Sequence, residues 1–219
     1  MTEHSRPKTQ QPLKDIDQIE LRSQPVQKRS RETVHLILEA AAELIDEVGV
    51  VGFTTNLLAE RADIRIRTIY RYFPNKLGIL TALIIHLNED FEERVMRNAE
   101  FGDPKRDWRE LVSIWIDDLL AWTRDRPGAR LHMGWMTTVP EILALQDRMD
   151  DEWARGMMDA MRMRGVKLPP KQLYAMCRCF NETLDSMTSL AAFSEQEHSD
   201  EIISETRHML IRYLEPYLD

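Results

Sequence analysis

Apolar residues along most of this chain recur every three to four positions, the period of a helix with one buried face. From Ser30, which can cap a helix N-terminus, Val34, Ile37, Leu38, Ala41, Leu44, Ile45 and Val48 form such a stripe, and Gly49 stops it. Thr54 or Thr55 caps a short helix running to about Ala62, and a third covers roughly Arg65–Phe73. After Pro74-Asn75-Lys76 a long helix turns Leu77, Leu80, Leu83, Ile84, Leu87 and Phe91 inward. Asp103-Pro104 predicts a cap and first turn for a helix with Trp108, Leu111, Val112, Trp115, Leu119 and Trp122 on one face, broken at Arg126-Pro127-Gly128. Pro140 opens a helix to about Arg164, and Pro169-Pro170 opens one striped with Leu173, Met176, Cys177, Phe180, Leu184, Met187 and Ala191. A last helix, about Asp200–Tyr217, turns Ile202, Met209, Leu210, Tyr213 and Tyr217 inward. The pattern predicts an all-α protein of about nine helices, with no strand and no internal repeat.

Residues 1–28 lack any such period; Pro7, Pro12, Pro25 and scattered charge predict a disordered polar arm ending in the basic run Lys28-Arg29-Ser30-Arg31. The expected organisation is an arm (1–28), a helix-turn-helix headpiece of three helices (29–76) and a helical body (77–219).

Charge sharpens this picture. The 219-residue chain has a net charge of −8, yet residues 1–82 hold 12 Lys/Arg against 11 Asp/Glu while residues 83–219 hold 17 against 26. Five of the basic residues and a single acid fall in Arg61–Lys76. A basic patch on an acidic body lets phosphates dock in one place and repels them elsewhere. With no apolar run long enough for a bilayer and no secretory core, a cytoplasmic protein is expected. The two cysteines, Cys177 and Cys179, fit a reducing compartment.

The segment Phe53–Phe73 reads as short helix, tight turn at Ala62–Ile64, then a second helix, which is helix-turn-helix spacing. A helical wheel gathers Ile66, Ile69, Tyr70 and Phe73 on one arc as an anchor, with Arg65, Arg67, Thr68, Arg71 and Tyr72 opposite. Arginine can donate two hydrogen bonds to guanine, and threonine can read thymine or a phosphate. Tyr72 and Lys76 are placed for flanking phosphates, and Thr54 and Thr55 open a helix whose first amides suit another.

The run Gly49, Thr54, Leu58-Ala59, Ala62, Thr68-Ile69-Tyr70, Tyr72-Phe73, Lys76 resembles the N-terminal signature of the tetracycline-repressor (TetR) family over about 50 residues. The resemblance implies base-reading roles for Arg65, Arg67, Thr68 and Arg71, and phosphate contacts at Thr54, Tyr70, Tyr72 and Lys76. It further implies a homodimer formed through the last two helices and an effector bound in the body. Three departures stand out: Asp63 where the turn usually carries Gly, Arg65 in place of a Ser-type cap, and Arg67 in place of a small residue. They imply some turn strain and an operator read with additional guanidinium contacts.

With all five Trp and eleven of the twelve Met of the chain, the body offers adaptable apolar surface. An apolar effector cavity is expected among Trp115, Trp122, Met133, Trp135, Trp153, Met157, Phe180 and Leu184, with Asn181 and Thr183 as polar contacts at its edge. No cofactor or metal is expected. Glu195/His198 and Glu205/His208 have Glu-x-x-His spacing but lie on or beside a single helix, and His86 with Glu89, Asp90 and Glu93 reads as a solvated face. Hydrolase, metalloprotease and P-loop motifs are absent, so catalysis is not expected. The expected function is a ligand-responsive transcriptional regulator, a repressor released from a palindromic DNA operator by a small hydrophobic molecule. An architectural DNA-binding protein without effector control is the alternative, and a helical metalloenzyme a more distant one.

Overall fold

The computed structural model describes residues 28–96, 101–132 and 139–219. Among them lie nine α-helices and no strand: α1 (Lys28–Gly52), α2 (Thr55–Arg61), α3 (Ile66–Tyr72), α4 (Lys76–Phe91), α5 (Trp108–Asp125), α6 (Ala129–His132), α7 (Pro140–Met163), α8 (Pro170–Ala192) and α9 (Gln196–Leu218). A single π-helical turn, Glu92–Met96, continues α4. The predicted arm lies outside the described residues. So do Met133 and Trp135. Among the described residues no helix is long and apolar enough to cross a membrane.

The apolar stripes account for the packing. Ile37, Ala41 and Ile45 of α1, Leu58 of α2, Ile69 and Phe73 of the α3 region, and Ile79, Leu83 and Leu87 of α4 are fully buried. Leu111, Val112 and Leu119 of α5, Met161 of α7, Phe180 of α8 and Leu214 of α9 continue the same core through the body.

Several boundaries differ from the pattern-based reading. Gly49 bends α1 instead of ending it: its φ of 68° is left-handed, and the helix runs one more turn to Gly52. Val48, beside the bend, is therefore exposed. α5 starts at Trp108 with Asp107 as its cap, whose side chain accepts from the Arg109 amide at 2.9 Å. Asp103 closes a separate turn, accepting from the Lys105 amide at 2.9 Å. α9 starts a turn earlier than predicted, and its buried Ser199 accepts from Arg124 of α5 at 2.6 Å. On α9, Ile203, Thr206, Leu210 and Leu214 face the core, whereas Met209 and Tyr213, predicted inward, are 45% and 38% exposed.

The link Arg126-Pro127-Gly128 ties the body to α1. Arg126 donates to both oxygens of Glu39 at 2.7 Å and lies 3.2 Å from Asp90 of α4. The Gly128 amide donates to Asp46 of α1 at 2.9 Å. Gly128 has a φ of +82°, and an added Cβ would come within 3.1 Å of both Ala42 and Leu87, so only glycine lets the link sit in the α1–α4 crevice.

Candidate functional site

The helix-turn-helix forms as predicted. The Thr54 hydroxyl accepts from the Leu57 amide at 3.2 Å and caps α2. The turn to α3 passes through Asp63, whose φ of 50° puts a non-glycine residue in the left-handed region. The Ile64 amide donates back to Ala59 at 3.0 Å and closes the turn. Ile69 and Phe73 anchor α3, while Arg65, Arg67 and Arg71 project from it into solvent. Thr68, between them, is half-buried.

The two tyrosines take places opposite to those of the helical wheel. Tyr72 is 4% exposed and packs in the headpiece core, with the Arg71 guanidinium 5.6 Å from its ring centre. Tyr70 is 39% exposed, its hydroxyl 3.0 Å from that of Thr55, and Ile66 is exposed as well. The correction has a steric cause. The chain leaves α3 in an extended conformation at Phe73, and the final turn packs Tyr72 with Phe73 against the neighbouring helices.

The basic run divides by partner. Arg61 is ion-paired with Glu43 and Glu47 of α1, so it adds no net charge to the face. Lys76 donates to the Val50 carbonyl at 2.6 Å and fastens the start of α4 to the end of α1; an ammonium has further donors left. Arg65 and Arg67 have no protein partner among the described residues. Both are exposed at the start of α3, Arg65 at its N-cap and Arg67 in its first turn.

In the body, the residues expected around a cavity pack mostly on one another. Trp115 stacks on Phe101 with centres 4.8 Å apart, and Trp153 lies parallel to Phe180 at 6.2 Å. Trp122 donates to Asp90 at 2.8 Å and meets Phe91 edge-on. Met157 and Leu184 are buried with them, and Thr183 is half-buried. The Trp and Met content builds core there.

The cavity itself, about 310 Å³, lies beside this cluster, between α7 and α8 and against α6. Its wall is polar: Gln146, Asp147 and Asp150 from α7, Arg178, Glu182, Asp185 and Ser186 from α8, and His132 from α6, with Leu143 and Met149 as its apolar part. Arg178 pairs with Asp147 at 3.2 Å and Glu182 at 2.8 Å. Asn181, one of the expected polar contacts, is buried and donates to Asp150 at 3.3 Å. Burial, reinforced by the Glu182 charge, pushes the Asp150 carboxyl up to about 6. Burial and the nearby charges of Asp150 and Glu182 push Asp185 well above the usual carboxylate range. His132 is held down to about 4 by burial and is neutral at pH 7, its Nε2 3.4 Å from Asn88 of α4. These residues escaped the sequence reading because charges on a helix ordinarily face water. The one available signal was spacing: Arg178, Glu182 and Asp185 line up along α8 directly beside its apolar stripe. A larger depression of about 580 Å³ beside Asn56, Asp63 and Arg65 is open surface.

Among the described residues, His35, Glu39 and His86 form the one group of three or more metal-type ligands within 4.8 Å of one another. Two hydrogen bonds from Arg126 occupy both Glu39 oxygens, and His86 lies 2.7 Å from one of them, so the arrangement is an ion-paired lock. His86 thus faces α1, not the solvated line with Glu89 and Glu93. Glu195, His198, Glu205 and His208 are exposed, Cys179 is exposed, and Cys177 is buried with its thiol pushed up to about 12.

Residues 37–83 match the family model described as bacterial regulatory proteins, tetR family, and residues 107–214 match a tetracyclin repressor-like C-terminal domain. The chain is similar to the tetracycline repressor protein class A from transposon 1721 of Escherichia coli, at 33% identity over 112 residues, 48% of this chain and 47% of that protein. It thus spans about half the length of the curated relatives it matches. A crystal structure of a TetR-family transcriptional regulator from Streptomyces coelicolor aligns with a TM-score of 0.63 and 29% identity, covering 85% of this chain and 99% of that one. The fold is also that of AibR, solved in complex with isovaleryl coenzyme A and operator DNA, with a TM-score of 0.59, 19% identity and coverage of 81% and 97%. With an N-terminal match across the helix-turn-helix and a C-terminal match across the body, the chain belongs to the tetracycline-repressor family of bacterial regulatory proteins.

Proposed function

We propose that this chain is a DNA-binding transcriptional repressor whose headpiece (29–76) reads an operator and whose body (77–219) receives an effector and a second copy of the chain. The observation that carries the reading is α3: buried Ile69 and Phe73 fix the helix while Arg65 and Arg67, without a protein partner among the described residues, stand exposed at its start, with Arg71 one turn on. That arrangement presents guanidinium groups to the major groove, where they recognise guanine, and Thr68 contributes at the same face. Tyr70, Thr54, Thr55 and Lys76 surround it as phosphate contacts; Tyr72, 4% exposed, is the most buried residue of the proposed set.

Leu190 of α8 and Met209 and Tyr213 of α9 are exposed apolar groups on the last two long helices. Covering them with the same helices of a second copy gives a two-fold dimer, whose headpieces reach successive major grooves about 34–36 Å apart. The Arg126–Gly128 link supplies a route for control, since it grips α1 and α4 and leads directly into α6, which walls the cavity. An occupant that displaces α6 favours a different headpiece placement, to the extent that it binds that arrangement more tightly.

Selection of bound sequences from random duplex DNA tests the reading. Enrichment of a palindrome with half-sites about one helical turn apart is expected; no enrichment over bulk DNA overturns it.

A further inference from the structure

We infer that the cavity between α7 and α8 binds a protonated aliphatic amine, with Asp150 and Asp185 receiving the ammonium group. This rests on reading the cavity as the effector site, and it replaces an apolar effector with a cationic one.

The first ground is charge in a half-open cleft, whose inner carboxylates are Asp150 and Asp185 while Asp147 and Glu182 stand at its exposed rim. Four carboxylates, Asp147, Asp150, Glu182 and Asp185, face the cavity against one arginine. Arg178 makes its ion pairs with Asp147 and Glu182, and among the described residues Asp150 receives a single hydrogen bond, from Asn181. Asp185 is half-buried, lines the cavity and has no side-chain partner among the described residues. A carboxylate held out of water without a partner is costly, and an ammonium group placed beside it removes that cost through charge-assisted hydrogen bonds. Burial pushes both Asp150 and Asp185 upward, in keeping with carboxylates short of partners.

The second ground is what the wall excludes. A bare divalent ion needs convergent ligands, and the cavity's carboxylates are not among the described groups whose ligand atoms come within 4.8 Å. A quaternary ammonium is recognised by an aromatic cage, and among the described lining residues only the His132 ring is aromatic. An anionic effector would meet the carboxylates. Leu143 and Met149 supply an apolar strip for an alkyl chain, and 310 Å³ lies at the small end of ligand cavities.

Calorimetric titration of the full chain without DNA tests this with hexylamine, 1,6-diaminohexane, hexanol, hexanoate and hexyltrimethylammonium as probes. At least one of the two amines should bind tenfold or more tightly than hexanol, hexanoate and the quaternary probe. Asp185→Asn and Asp150→Asn, checked for a cooperative thermal transition, should each weaken that binding tenfold or more. Binding of hexanol as strong as that of the amines, preference for the quaternary ammonium, or no amine binding at millimolar concentration overturns the inference. If either variant fails to fold, the wild-type probe series decides alone. Operator release is measured separately. Amine binding without release leaves this inference standing and removes the effector role, whereas a selected palindrome with no amine binding overturns this inference and leaves DNA reading intact.

Discussion

Arg67 and Lys76 both carry positive charge toward the proposed DNA face, but their surroundings assign them different work. Arg67 has no protein partner among the described residues, so Arg67→Ala should leave the melting temperature nearly unchanged while costing about 1–3 kcal/mol on the selected operator and relaxing preference at one base position. Unchanged footprints would remove it from the reading face. Lys76 also holds the Val50 carbonyl, so Lys76→Ala should weaken all duplexes alike, lower the salt slope by about one and reduce thermal stability as well. A salt slope equal to wild type would show that its ammonium serves the fold alone. For Asp150 the pKa rises on folding from its usual 3.8 to about 6, so the folded state holds the proton more tightly. Its contribution is therefore least unfavourable below pH 4, worsens as pH rises through 6, and is fully unfavourable above that. Asp150→Asn keeps an acceptor for Asn181 and should raise stability at pH 7 by about 1–3 kcal/mol, with no gain at pH 4. Urea melts at the two pH values check this, and an equal gain at both would show that ionisation is not the cause.

At the scale of elements, the Arg126–Gly128 link is where α5 and α6 meet the headpiece helix. Two hydrogen bonds from Arg126 hold Glu39 down to about 2, with His86 adding to the effect. The folded pKa lies below the usual 4.5, so this contribution is complete above pH 4.5 and disappears as pH falls towards 2. Arg126→Ala removes the guanidinium from Glu39 and Asp90, both partly buried, leaving them His86 and Trp122, and should destabilise the protein by about 1–3 kcal/mol at pH 7 but much less near pH 2.5. Denaturation of wild type and variant across that range measures the convergence; a constant difference would contradict it. If the link also carries the effector signal, the variant should respond less to any inducing ligand in an operator-release assay. The α2–α3 turn is the second stressed element: Asp63 at a φ of 50° replaces the glycine expected in this family. A β-branched residue fits that region poorly, so Asp63→Val should cost about 1–2 kcal/mol in thermal unfolding, whereas Asp63→Gly should be tolerated.

At the scale of the molecule, an acidic body carries a headpiece with exposed arginines and leaves apolar groups of α8 and α9 in water. The apolar surface on α8 and α9 predicts association, since Leu190, Met209 and Tyr213 remain in water in the single chain. Leu190→Glu combined with Tyr213→Glu should give a folded monomer by sedimentation equilibrium and should weaken binding to a full palindrome far more than to a half-site. A double variant that remains dimeric would place the interface elsewhere. The charge arrangement predicts steep salt dependence for DNA association, because the acidic body repels the backbone that the headpiece attracts.

The amino-acid pattern by itself determined the helices, their order and most of the core stripes, because the period of a helix and its start signals at Pro140 and Pro170 are local properties. It also determined the helix-turn-helix and the presence of arginines on α3, which depend on spacing within about twenty residues. Three things were decided only when the helices packed. Tyr70 and Tyr72 lie near the edges of a seven-residue helix, where the apolar arc is too short to set its own boundary, and neighbouring helices chose Tyr72 for the core. Trp115, Trp153, Met157 and Phe180 read equally well as a pocket or as its filling, since apolar character states that a side chain avoids water and not what stands opposite it. Beyond the spacing along α8, nothing in the sequence marks Asp150 and Asp185, because the cavity they line is built from α6, α7 and α8 together. The burial of an ionisable group is a property of the assembled elements, and no single stretch of chain contains it.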